Sequence, residues 1–318
     1  MELEHRIGFV GIGIAAVALI ATQTDLLPLS LTSLNPFSRA SDEMVDQRGR
    51  MRMLEREFDV GAGGSLSVDV ADADVTVRSS SAGEASVMVF MRARDRDWGR
   101  EVFDRMNFDV GSRGNEITVS AQSPRIDRSE WSDNSGVGFQ VEITVPSNCS
   151  AFISTGDGDI SMGDLTGEFD LETSDGDISV GTLTGTLHLR TSDGDVSAEG
   201  LSGSTISVRT SDGDVRISAL SGPAEISTSD GDISVALDRG EDIRLRTGDG
   251  DITIYADQSI QAEVDFIGEE IQMASGFLLS EGRISENGAQ GVLNGGGPTL
   301  HVHTGDGTIS MRDRGVDR

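Results

Sequence analysis

The sequence predicts an all-β protein: a β-solenoid (β-helix-like) of 18–19-residue coils with an irregular β N-terminal cap. Three observations carry that expectation. A turn motif recurs at a nearly constant interval through the C-terminal half. Within each repeat, apolar and polar residues alternate, which marks a strand with one buried face. Aromatics make up only 4% of the 318 residues while glycine reaches 40, a mix that suits short strands and tight turns rather than packed helices.

The motif begins at Thr155-Gly156-Asp157-Gly158-Asp159-Ile160 and returns at Thr173, Thr191, Thr210, Thr228, Thr247 and Thr304. The intervals are 18, 18, 19, 18 and 19 residues, then 57, or three times 19. Two degenerate coils are therefore expected between Thr247 and Thr304. The first has Val264, Ile271 and Met273 at the right offsets; the second fits poorly and carries Asn287-Gly288 instead. Aligned repeats give apolar columns: Ile153, Leu171, Leu189, Val208, Ile226, Leu245 and Val302 before the turn, and Ile160, Ile178, Val196, Val215, Ile233, Ile252 and Ile309 after it. Leu165, Leu183, Leu201, Leu220 and Leu237 form another column, and Gly167, Gly185, Gly203 and Gly222 mark a second corner. A single coil buries too little apolar surface to offset its ordering entropy, so neighbours must stack about 4.8 Å apart and share one core. A β-sandwich would not require every coil to keep the same register.

The remaining segments follow from composition. Ile7 to Ala21 is an uncharged, mostly apolar run between Arg6 and Asp25. Residues 1–24 read as a signal peptide, with Ala16-Val17-Ala18 as cleavage site, or as a signal-anchor segment with residues 7–21 in the membrane. Either reading places the rest outside the cytoplasm, in the periplasm or at the cell surface. Residues 25–53, with Pro28, Pro36 and mixed charge, read as a spacer. Residues 54–150 are β-rich and read as the cap of the solenoid at 151–312, with a tail at 313–318. Asp72-Ala73-Asp74-Val75 looks like a worn copy of the turn, and Trp98, Val102 and Met106, spaced by four, predict a short helix.

The formal charge of −29 is uneven: from Ala151 onward 31 acids face 10 arginines, which disfavours nucleic acid as a partner. All 25 basic residues are arginine, so Schiff-base chemistry and the P-loop lysine are excluded. Cys149 is the single cysteine, so the chain forms no internal disulfide. No nucleophile–base signature is present: G-x-S-x-G and H-E-x-x-H are both missing.

The turns carry the sharpest chemistry. Stacking would align Asp157, Asp175, Asp193, Asp212, Asp230 and Asp249 in one column and Asp159, Asp177, Asp195, Asp214, Asp232 and Asp251 in a second. Turn geometry alone accounts for them, with Asp capping its own turn and Gly supplying a positive φ. Like charges at that spacing repel by about 0.9 kcal/mol per pair in water, so a weak cation edge that takes Ca²⁺ is the competing expectation. No other cofactor is expected. His301 and His303, two apart on a strand, share an outer face with His188, Arg190, Arg209, Arg244, Arg246, Asp170, Glu172 and Glu225. Cross-coil ion pairs explain that face; an anionic glycan groove is the functional alternative. Trp131, in a polar loop, either packs on the sheet or stacks on a sugar.

The repeats, the opening Phe58-Asp59-Val60…Gly64-Ser65-Leu66 and the closing Leu293-Asn294-Gly295-Gly296-Gly297-Pro298…Thr304 resemble a family of bacterial β-strand-repeat, adhesin-like proteins with a domain of unknown function. The resemblance covers roughly residues 54–312 and implies no catalytic residues. The sequence is read as a non-enzymatic, membrane-tethered surface scaffold or binding module whose partner is an envelope polymer or protein. A polysaccharide-acting β-helix enzyme and a Ca²⁺-stabilised module are the alternatives.

Overall fold

The computed structural model describes residues 45–81, 83–124, 126 and 136–315. The apolar run at 7–21, most of the proposed spacer, Trp131 and the last three residues lie outside the described residues. The described residues belong to one compact unit.

The N-terminal part holds β1 (Met51–Asp59), β2 (Gly64–Val70), β3 (Ala73–Ser80), β4 (Glu84–Arg92), α1 (Arg96–Met106), β5 (Asp109–Arg113), β6 (Glu116–Ala121) and β7 (Gly138–Pro146). Helix α1 forms where the spacing of four predicted it. Asp95 caps its start by accepting from the backbone N–H groups of Asp97 and Trp98, and Trp98, Val102 and Met106 are buried. Regular structure is present before residue 54. β1 opens at Met51, and buried Arg50 reaches Glu142 at 2.6 Å, Asp46 at 2.7 Å and the face of Phe90 at 4.2 Å. The spacer boundary at 53 is corrected accordingly: partners far along the chain order this stretch, which its polar composition does not reveal.

The repeats form β8 (Cys149–Thr155), β9 (Ile160–Met162), β10 (Leu165–Glu172), β11 (Ile178–Arg190), β12 (Val196–Arg209), β13 (Val215–Ser221), β14 (Ala224–Ser227), β15 (Ile233–Leu237), β16 (Ile243–Arg246) and β17 (Ile252–Ala256). They stack in parallel and in register. Leu183 sits over Leu165 and under Leu201; Ile178 sits between Ile160 and Val196. The predicted columns are buried throughout and make one continuous core with the cap. At the second corner, a Cβ on Gly185 would lie 1.8 Å from the carbonyl oxygen of Gly167, and φ of Gly185 is +143°, so both close approach and backbone conformation require glycine there.

The C-terminal part comprises β18 (Ala262–Ile267), β19 (Glu270–Met273), β20 (Leu279–Ser285), β21 (Gly288–Leu293), β22 (Thr299–His303) and β23 (Thr308–Asp313). Here the expected pair of hidden coils is corrected. The Thr304 coil stacks directly on the Thr247 coil, with Leu300 beside Ile243 and Ile309 beside Ile252. β18 and β19 form one coil beyond it: Val264 pairs with Leu300, Ile271 with Ile309 and Met273 with Met311. The rest of the interval is an antiparallel hairpin, β20–β21, laid on β18, with Asn287 in its turn and Gly288 opening β21. The same inversion occurs at the other end, where β2 lies between β6 and β8, and β3 between β7 and β9. The first and last coils of the chain are therefore each second in the stack, paired on both sides rather than left as open edges.

Candidate functional site

The coils from Thr155 to Thr304 turn at their Thr-x-Asp-Gly segments, and the stacked turns make one long edge. The threonines line its inside; Thr155, Thr173, Thr191, Thr210, Thr228, Thr247 and Thr304 are all buried. Their hydroxyls tie coil to coil. Thr191 Oγ1 donates to the carbonyl of Gly176 in the preceding coil at 3.0 Å and accepts from its own turn's Gly194 N–H at 3.3 Å. Thr173, Thr210, Thr228, Thr247 and Thr304 repeat the arrangement. The sequence signal for this ladder was the threonine opening every turn, a polar residue held in phase with the buried columns.

The central glycines correct one expectation. Gly158, Gly176, Gly194, Gly213, Gly231 and Gly250 are not among the residues with positive φ. They are glycine because the coils approach too closely for a side chain: a Cβ on Gly176 would stand 2.1 Å from the carbonyl oxygen of Gly158, and one on Gly194 2.0 Å from that of Gly176. The second aspartates correct another. Asp159, Asp177, Asp195, Asp214 and Asp232 do not cap their own turns; each accepts, through Oδ1, the backbone N–H of its counterpart in the next coil at 2.8–2.9 Å. Asp251 accepts from Thr308 at 2.7 Å, and Asp74, in the worn first turn, from Asp159 at 3.3 Å. These are charge-assisted bonds, and they offset part of the repulsion along the column. Burial, together with the charge of Asp159, holds the Asp74 carboxyl above its ordinary range.

Asp157, Asp175, Asp193, Asp212, Asp230 and Asp249 project from the same edge and are exposed. Among the described residues, no group of three or more His, Cys, Asp or Glu side chains is arranged to hold a metal ion. His301 Nδ1 lies 3.0 Å from Asp265 Oδ2. Cys149 is buried, and desolvation pushes its thiol up to about 11, which makes it a small core residue rather than a nucleophile. On the outer face, Arg190 approaches Glu172 at 3.8 Å and Arg209 approaches Glu225 at 3.2 Å, so cross-coil ion pairs do form there. Among the described residues, no helix is long and apolar enough to cross a membrane.

Parallel, in-register coils closed on a threonine-lined turn edge define a β-solenoid repeat protein. The chain belongs to the Toastrack DUF4097 family, whose profile matches residues 64–312. Solved structures with similarity include a candidate adhesin from Bacteroides fragilis NCTC 9343, 16% identical with a TM-score of 0.47 over 81% of this chain and 96% of that one. Another, a candidate adhesin from Parabacteroides merdae ATCC 43184, is 10% identical with a TM-score of 0.42, over 81% and 95%. A candidate lipid-binding protein from Parabacteroides distasonis ATCC 8503 is 11% identical with a TM-score of 0.39, over 81% and 96%. Among curated proteins no relative matches the chain.

Proposed function

We propose that this protein is an extracytoplasmic, membrane-tethered and non-enzymatic β-solenoid that serves as a surface scaffold or adhesin-like binding module. One observation carries the reading. In-register stacking turns the outward residues of each coil into straight columns on flat parallel sheets, as in Asp170, His188, Ser207, Glu225, Arg244 and His301. Such a surface suits contact over area with an envelope polymer or protein, not enclosure of a small substrate. The apolar run at 7–21 supports the tether. The acidic turn edge, on this reading, collects cations as a screening atmosphere.

Membrane fractionation of the native host, with mass spectrometry of the protein's N-terminus and protease shaving of intact cells, tests the proposal. The expected result is a membrane-associated chain that retains residues 7–21 and whose repeats are cut from outside. A chain confined to the cytosol would overturn it.

A further inference from the structure

After Ala151 the acidic excess is strong, yet one outer face concentrates the opposite charge. Of the ten arginines beyond that point, Arg190, Arg209, Arg244 and Arg246 lie in two neighbouring outward columns, with His188, His301 and His303, three of the chain's four histidines. Pairing registers place Arg244 beside His301 and Arg246 beside His303, one rung apart, about 4.8 Å. Along each strand the two members are two residues apart, so both project from the same side. Toward the cap the columns turn acidic at Asp170 and Glu172, and on the far side they end at Asp265 and Ile267.

The side chains in this lane differ in whether they already have a partner. Arg190 faces Glu172, Arg209 faces Glu225, and His301 meets Asp265. Arg244 and Arg246 make no ion pair among the described residues, and both are exposed. Beside them runs a groove of about 360 Å³ lined by Ala224, Glu225, Asp242, Arg244, Thr299 and His301.

We propose that Arg244, Arg246, His301 and His303 form a binding site for an anionic polysaccharide lying lengthwise along the solenoid. This rests on the binding-module reading and names its partner. Guanidinium groups bind carboxylate or other oxyanions through paired N–H donors. Glu225, Asp242 and Thr299 at the groove, with Ser207 and Ser227 in the columns, supply acceptors and hydroxyls for sugar hydroxyl groups. Of the exposed large apolar side chains among the described residues, Val45, Phe152, Leu278 and Ile284 lie outside the quartet and Ile267 borders it beside His303, so a lipid or peptide finds one apolar side chain at its edge rather than an apolar patch. The acidic excess after Ala151 disfavours a polyanion elsewhere on the repeats.

The test uses the full chain and immobilised polygalacturonate, with dextran sulfate as a second anionic glycan, dextran as neutral control and duplex DNA as a non-glycan polyanion. Retention on one or both anionic glycans, little on dextran or DNA, and release by salt are expected. Retention on polygalacturonate alone assigns carboxylate as the recognised group; retention on dextran sulfate alone assigns sulfate. The double variant Arg244→Glu/Arg246→Glu is expected to bind at least tenfold more weakly with an unchanged melting temperature, because both side chains are exposed. Arg216→Glu, in an outward column beyond the turn edge, is expected to bind like the parent. Equal binding by the double variant, binding to neither anionic glycan, or equal binding to DNA would overturn the site and leave the module reading to its own test. Shortening of the bound polymer would support the site while overturning the non-enzymatic reading.

Discussion

Replacing Gly194 with alanine probes the stacked turns most directly. The added methyl would sit 2.0 Å from the carbonyl oxygen of Gly176 and 2.5 Å from its carbon. The two coils must separate by more than about 1 Å before that contact reaches ordinary van der Waals range. Among the bonds that cross the gap at this turn, three lie beside the added methyl: Thr191 Oγ1 to Gly176 O at 3.0 Å, Asp195 N to Asp177 Oδ1 at 2.8 Å, and Ile178 N to Asp195 O at 2.9 Å. Such a displacement takes all three past hydrogen-bonding distance. With about 1 kcal/mol for each neutral bond and about 1.5–3 for the bond to the carboxylate, the loss is roughly 3–5 kcal/mol. Equilibrium urea unfolding, followed by far-UV circular dichroism, should show a lowered midpoint with unchanged slope. Ala73 occupies the same place in the first coil, where it pairs with Phe139 of β7. A Gly194→Ala variant within about 1 kcal/mol of the parent would refute the argument that inter-coil clearance, not φ, selects glycine.

Other perturbations separate the parts of the same edge. Thr191→Val replaces a buried hydroxyl with a methyl and leaves Gly176 O and Gly194 N–H short of a partner; a loss of about 2 kcal/mol is expected by urea unfolding, and Thr191→Ser should retain more of the stability. Asp177→Asn keeps an acceptor for the Asp195 N–H and removes one charge from the column, so its melting temperature should match or exceed the parent's, whereas Asp177→Ala should melt lower. Sodium and calcium chloride at matched ionic strength should raise the melting temperature alike; a rise specific to millimolar Ca²⁺ would show a defined cation ladder instead of screening. The Asp74 carboxyl titrates above its ordinary range, so its contribution to stability is present at low pH and is lost as pH rises through that raised value. Asp74→Asn should therefore melt higher than the parent at neutral pH, with the difference shrinking in acid.

Much of this fold was legible because each coil repeats local physics. Alternation placed Leu171, Leu189, Ile178 and Val196 in the core, a spacing of four placed Trp98, Val102 and Met106 under α1, and Asp72-Ala73-Asp74 was recognisable as a degenerate turn. The candidate site was legible in its residues but not in their bonds. The aspartates of the second column bond the coil above, and a pattern read within one repeat carries no information about the groups of the next. The role of the central glycines is hidden for the same reason, since what crowds Gly194 is the backbone of Gly176, a full coil away.

Stacking order was a tertiary matter as well. The 57-residue interval implied coils laid down in chain order, but the Thr304 coil enters between the Thr247 coil and β18–β19, as β2–β3 does between β6–β7 and β8–β9. Columns, turns and the strand faces that meet the core are properties of a short stretch of chain, so the order of residues settles them. Which coil lies on which depends on pairing between strands that can be interchanged without altering any local pattern, and on leaving the fewest unpaired edges. Only the assembled molecule decides that.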